Sequence, residues 1–136
     1  MRKEEMENYY TIDINGEAMP LACTLIVMEA ITKKYGTIEE FLLKIYKPKM
    51  DDESKEIVTM AMPDIDAIYS ILPLMVEEGI YLLNENKRNK IEAVSADYIY
   101  RHYETPLHDI GFLMFSEVMR SIRAPKRQPL TVTTSK

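Results

Sequence analysis

A chain of 136 residues with 46% hydrophobic side chains is long enough for one domain with its own core, and too apolar to stay disordered. The net charge of −5 argues against wholesale binding to nucleic acid, whose phosphates demand clustered Lys and Arg. The lone cysteine, Cys23, allows no intramolecular disulfide and points to a reducing, cytoplasmic compartment. The opening Met-Arg-Lys-Glu-Glu predicts no secretory signal. No uncharged apolar run approaches the ~20 residues of a spanning helix, because Glu77 and Glu78 interrupt the most apolar stretch. No membrane partner is therefore expected.

Residues 9–21 read as a β-hairpin. Asn15-Gly16 suits a two-residue type I′ turn, in which both positions need positive φ. Alternation across that turn places Tyr10, Ile12, Ile14, Met19 and Leu21 on one face, with Thr11, Asp13 and Ala18 on the other. A lone hairpin is marginal in water, so the apolar face must be covered by helices or by a neighbouring subunit.

Helices are expected over 24–35, 37–46, 64–86, 96–103 and 106–122. Thr24 is placed as N-cap of the first and Gly36 at its C-terminus, with Lys33 and Lys34 complementing the dipole. Thr37-Ile38-Glu39-Glu40 is a capping box for the second, and Pro48 ends it. Residues 47–63, rich in Lys, Asp and Glu, read as an exposed loop with a helical turn at 53–61. Asp64 caps the third helix, whose Ile65, Ile68, Tyr69, Leu72, Met75, Val76, Ile80 and Leu83 form a wide helical stripe. Pro73 inside it removes the bond to the Tyr69 carbonyl and should kink the helix. Residues 84–89 form a polar connection, Ser95 caps a short fourth helix, and Thr105-Pro106 opens the last. The sum is a mainly α fold: a small helical domain, residues 1–123, with an N-terminal β-hairpin (α+β by count). A flexible basic C-terminal tail, 124–136, follows.

The charge is divided along the chain. Residues 1–119 carry 12 basic and 22 acidic side chains, a net −10, and the last 17 residues carry +5. Chemistry is hard to find. His102 and His108 have no closely spaced ligand partner, Cys23 lies between Leu21 and Leu25 as a buried thiol would, and the four glycines are isolated. Glu39-Glu40 and Glu77-Glu78 are adjacent pairs, which point about 100° apart on a helix and form no dyad. No catalytic, metal or cofactor site is expected, and the chain reads as a non-enzymatic binding protein. Ten methionines favour an adaptable apolar surface. Candidate partner-contact residues are Met75, Ile80, Met114 and Met119 on the helices, with Arg120, Arg123, Lys126 and Arg127 at the basic end. Tyr98-Ile99-Tyr100-Arg101-His102-Tyr103 interleaves aromatic and basic residues as base-stacking segments do, but the three tyrosines do not share a helix face.

The stretch Ile12-Asp13-Ile14-Asn15-Gly16-Glu17, continuing through Met28-Glu29-Ala30-Ile31-Thr32-Lys33-Lys34-Tyr35-Gly36-Thr37-Ile38-Glu39-Glu40, resembles the tail assembly chaperones of long-tailed bacteriophages and related prophages. The resemblance is clearest over residues 10–45 and mainly architectural over 64–122. It implies a helical, cytoplasmic, oligomeric adaptor that binds the phage tape measure protein, helps recruit tail tube subunits and is absent from the finished virion. The alternative is a small regulatory protein whose basic tail contacts nucleic acid. Surplus apolar surface on the hairpin and on the 64–86 helix would drive self-association into a homo-oligomer.

Overall fold

The computed structural model describes residues 6–50, 53, 57–85 and 90–130. A first hairpin, β1 (Thr11–Ile14) and β2 (Glu17–Pro20), leads into helices α1 (Leu25–Tyr35) and α2 (Ile38–Ile45). A second hairpin follows, β3 (Lys47–Met50) with β4 (Ile57–Ala61), and then α3 (Ile65–Asn84), α4 (Ala96–His102) and α5 (Leu107–Arg123). The fold is a small helical domain carrying an N-terminal β-hairpin.

The turn chemistry of the first hairpin acts as the sequence implies. Asn15 has φ 50° and Gly16 φ 84°, and Ile12 pairs with Met19 while Ile14 pairs with Glu17. Ile12, Ile14, Met19 and Leu21 are buried, and Asp13 and Ala18 are exposed. What covers the hairpin belongs to the same chain. The connection between α4 and α5 runs along β1: Asn15 N–H donates to the His102 carbonyl (3.0 Å) and Glu104 N–H to the Asp13 carbonyl (2.8 Å). On the other side β2 crosses α3 so closely that a Cβ on Gly79 would collide with the Pro20 carbonyl oxygen. Glycine there costs helix propensity but permits the contact. The expected surplus on the hairpin and on the long helix is thus largely used up inside the chain. Ala67, Ile68, Ile71, Leu72, Met75, Val76, Ile80 and Leu83 of α3 all lie in the core, because the hairpin, the first two helices and the last two surround that helix.

Several local expectations need correction. Within the segment 47–63, expected as a loop with a helical turn at 53–61, Lys47–Met50 and Ile57–Ala61 instead pair as antiparallel strands with a register shift between Lys49 and Met50; residues 51, 52 and 54–56 lie outside the described residues. The β-branched Ile57-Val58-Thr59 favours a strand, and Pro48 is tolerated because a two-stranded sheet has only edges. Thr24 occupies the N-cap position of α1 but its hydroxyl donates to Glu78 on α3 (2.9 Å) instead of capping. Thr105 does not cap α5; its hydroxyl accepts the Asp13 N–H (2.8 Å), and Pro106 stands at the cap. The other caps hold as expected, with Thr37 accepting Glu40 N–H, Asp64 accepting Asp66 N–H and Ser95 accepting Tyr98 N–H.

Helix α3 is continuous through Pro73. The Tyr69 carbonyl that Pro73 leaves without an amide instead accepts the Tyr100 hydroxyl (3.0 Å), and the two tyrosine rings stack at 4.1 Å. Of the polar connection at 84–89, residues 86–89 lie outside the described residues. So does the second half of the expected tail, 131–136. Among the described residues no helix is long and apolar enough to cross a membrane.

Candidate binding groove and its buried anchor

Helix α5 carries a buried row at Ile110, Met114, Glu117, Val118 and Ser121. Glu117 is a carboxylate in the middle of an apolar stripe, and it is fully buried. Such a charge persists only if it is paired and hydrogen-bonded. Arg120, one turn on, grips it as a fork, with Nε 2.9 Å from Oε1 and Nη2 2.8 Å from Oε2. Arg127 reaches back from beyond the helix end, with Nη2 2.9 Å from Oε2 and Nη1 3.4 Å from Oε1. The Cys23 amide donates to Oε2 at 2.9 Å. Burial alone would raise the Glu117 carboxyl, but the hydrogen bonds from Arg120 and Arg127 outweigh it and hold the group below its ordinary value.

This cluster also fixes the segment after α5. The Arg127 guanidinium lies 4.3 Å over the Tyr9 ring and donates to the Asn8 carbonyl (3.3 Å). Arg120 donates to the Ala124 carbonyl (2.8 Å), and Leu130 N–H donates to the Glu7 carbonyl (3.1 Å). Residues 124–130, read from sequence as the start of a tail, are therefore folded back as a strap against α5 and the N-terminal segment.

Between strap and helix opens a groove of about 640 Å³. Tyr10, Phe112, Phe115 and Met119 give it an apolar floor, and Arg120, Arg123 and Lys126 line it with positive charge. Tyr46 props the floor, stacking on Phe115 at 4.5 Å and tilting against Phe112 at 5.8 Å. Phe112 is nonetheless 48% exposed. A smaller apolar groove of about 270 Å³ lies between α3, α4 and α5, where Ile65 and Tyr69 are exposed.

The eight candidate contact residues divide cleanly. Met75, Ile80 and Met114 are core side chains, so they present no surface to a partner. Met119, Arg120, Arg123 and Lys126 come together in the groove, and Arg127 anchors its wall through Glu117. Tyr10, Phe112 and Phe115 were missed by sequence reasoning. Their signal was the pairing of apolar residues with the basic end of the last helix. Cys23 is buried, and burial pushes its thiol up to about 11. His102 and His108 are exposed, and among the described residues no group of three or more His, Cys, Asp or Glu is placed to hold a metal ion. Two tyrosines of the 98–103 segment have structural side-chain partners: the Tyr98 hydroxyl accepts from Asn15 Nδ2 (2.7 Å) and Tyr100 serves the Tyr69 carbonyl; Tyr103 meets Ile14 through a backbone bridge and its ring is exposed. No family model, curated protein or solved structure matches this chain.

Proposed function

We propose that this chain is a non-enzymatic tail assembly chaperone of a long-tailed bacteriophage or prophage, one that binds the tape measure protein and helps recruit tail tube subunits around it. The observation that carries this reading is the open groove with an aromatic floor and a basic rim on an otherwise acidic chain. A helical chain with long apolar stripes needs such a cover until its final partners arrive. The phage-like residues 10–45 support the reading, since they fold as a hairpin followed by two helices, the order the resemblance implies. The reading places the protein in the host cytoplasm and outside the finished virion. Self-association belongs to it as well. The apolar surface available for that purpose is now Leu25 and Ile26 at the start of α1, 80% and 61% exposed, rather than the hairpin. Regulation through a nucleic-acid-binding tail is disfavoured, because Arg127 of that tail is turned inward onto Glu117, which leaves Lys126 as the exposed cation among the tail's described residues.

The test is capture of the tagged chain from infected or induced cells, read by mass spectrometry, with co-expression of the tape measure gene product alongside. A co-purifying tape measure protein that stays in solution only with this chain present is the expected result. Recovery of no tail protein, with the tape measure equally soluble alone, would overturn the proposal.

A further inference from the structure

We infer that the groove between α5 and the strap takes the apolar stripe of an amphipathic helix whose flanks are acidic; this rests on the reading of the chain as a helix-binding chaperone. Three observations point to that occupant. The first is the floor. Phe112, Phe115 and Met119 project from one side of α5 and meet Tyr10 from the hairpin, giving a concave apolar bed into which a row of side chains at helical spacing can set. Concavity also sets the site apart from a surface made for a flat bilayer.

The second is charge. Among the described residues no carboxylate lines the groove. Arg123 and Lys126 are exposed and make no ion pair among the described residues. Glu117 cancels one of its two arginines, so Glu117, Arg120, Arg127, Arg123 and Lys126 together leave about +3 at one end of a chain whose first 119 residues carry −10. An acidic-flanked helix is drawn to this face and repelled by the rest of the molecule. The same negative remainder repels nucleic acid and anionic lipid.

The third is preorganisation. One wall is a segment without secondary structure, yet Arg127, Arg120 and the Leu130 amide tie it to α5 and to the N-terminal segment. A partner would not have to order that wall on binding.

The probe is a fluorescent synthetic helix with leucines at i, i+3, i+4 and i+7 and glutamates on both flanks. A lysine-flanked version and a scrambled version of the same composition serve as comparisons, and binding to the full chain is read by anisotropy. The glutamate-flanked helix should bind at least about tenfold more tightly than the lysine-flanked one, and its affinity should fall as salt rises from about 0.05 to 0.5 M. Arg123→Glu with Lys126→Glu should reverse the preference. Phe112→Ala should weaken both helices, and Ile65→Ser in the smaller groove should change neither. Far-UV circular dichroism confirms that each variant is folded. Equal affinity for the two flanked helices, an unmoved preference in the doubly reversed variant, or stronger binding to anionic vesicles or duplex DNA would overturn the inference. Capture from cells separates the two levels. If the tape measure protein is recovered equally by wild type and by the reversed variant, the function stands and this assignment of the groove fails. If the peptide preference holds but no tail protein is recovered, the groove chemistry stands and the phage function fails.

Discussion

Glu117→Ala should be among the most damaging single changes to the stability of this protein. Glu117 accepts five hydrogen bonds, two from Arg120, two from Arg127 and one from the Cys23 amide. Removing the carboxylate leaves two guanidinium groups facing each other across a hole and one buried amide without an acceptor. Breaking a buried ion pair in this way costs about 3–5 kcal/mol. Both arginine side chains keep a little water contact, 13% and 14% exposed, which places the loss near the lower end, about 3 kcal/mol. With a urea slope of about 2 kcal/mol per molar for a chain of this size, the denaturation midpoint should fall by about 1.5 M. Glu117→Gln keeps the volume and, with its carbonyl at the Oε2 position, the three bonds made there, but it removes the counter-charge and turns its NH2 against the Arg120 and Arg127 donors at the Oε1 position. Losing two of the five bonds, it should cost about half as much.

Acidification supplies an independent check. The folded carboxyl is held below its ordinary value of 4.5, so its contribution to stability is complete above that value and is lost as pH falls through the folded pKa. Wild type should therefore lose stability below about pH 4.5 more steeply than Glu117→Gln, and the two curves should converge at the acid end. A midpoint in Glu117→Ala within about 0.3 M of wild type, or parallel acid profiles for wild type and Glu117→Gln, would refute the reasoning. Truncation after Ala124 removes Arg127 and the strap with it. It should cost about 1.5–3 kcal/mol, the usual value of hydrogen bonds to a charged group.

Tyr100→Phe should cost about 1 kcal/mol, since it strands the Tyr69 carbonyl that Pro73 already deprives of an amide. The cost should shrink in a Pro73→Ala background, where an amide returns, and the same cost in both backgrounds, that is zero coupling in the double-mutant cycle, would count against the compensation. Gly79→Ala should lower the melting temperature in spite of alanine's better helix propensity. Its Cβ would meet the Pro20 carbonyl oxygen, and overpacking of this kind costs about 1–3 kcal/mol; a higher melting temperature would show that β2 yields freely. The Cys23 thiol, pushed up to about 11 by burial, should resist alkylation at pH 8 until denaturant is added. Rapid labelling of the native chain would contradict that burial.

Features written in local chemistry were legible in the sequence. Asn15-Gly16 fixes the hairpin because two consecutive positive φ angles have few other solutions, and the capping residues Thr37, Asp64 and Ser95 open their helices where expected. The second hairpin was not, because Lys47 to Ser54 is as polar as a loop and its strand partner, Ile57-Val58-Thr59, is only three residues of strong β preference. Thr24 and Thr105 show how tertiary structure overrides a local role. Each hydroxyl found a partner more than 50 residues away, and the helix start went without a side-chain cap.

The groove was half legible, and the division has a physical cause. Side-chain type alone makes Met75, Ile80 and Met114 look like contact residues, while their helical spacing with Leu72, Val76, Leu83, Ile110 and Val118 assigns them to the interior. Periodicity outranks type, because a helix face has to be covered whichever apolar residue it carries. The same test singles out Glu117. It stands three residues after Met114 and seven after Ile110, on the buried face, with an arginine three residues further on. A carboxylate at such a position has to bring its own cations inside. One is supplied by the helix itself as Arg120. The other has to come from elsewhere in the chain, and a basic segment immediately after the helix is the nearest source. The buried charge thus draws residues 124–130 back onto α5, and the strap so formed becomes the wall of the groove. Residues 124–130, which by composition look like the start of a separate appendage, are part of the fold because of one acidic residue placed where an apolar one would ordinarily stand.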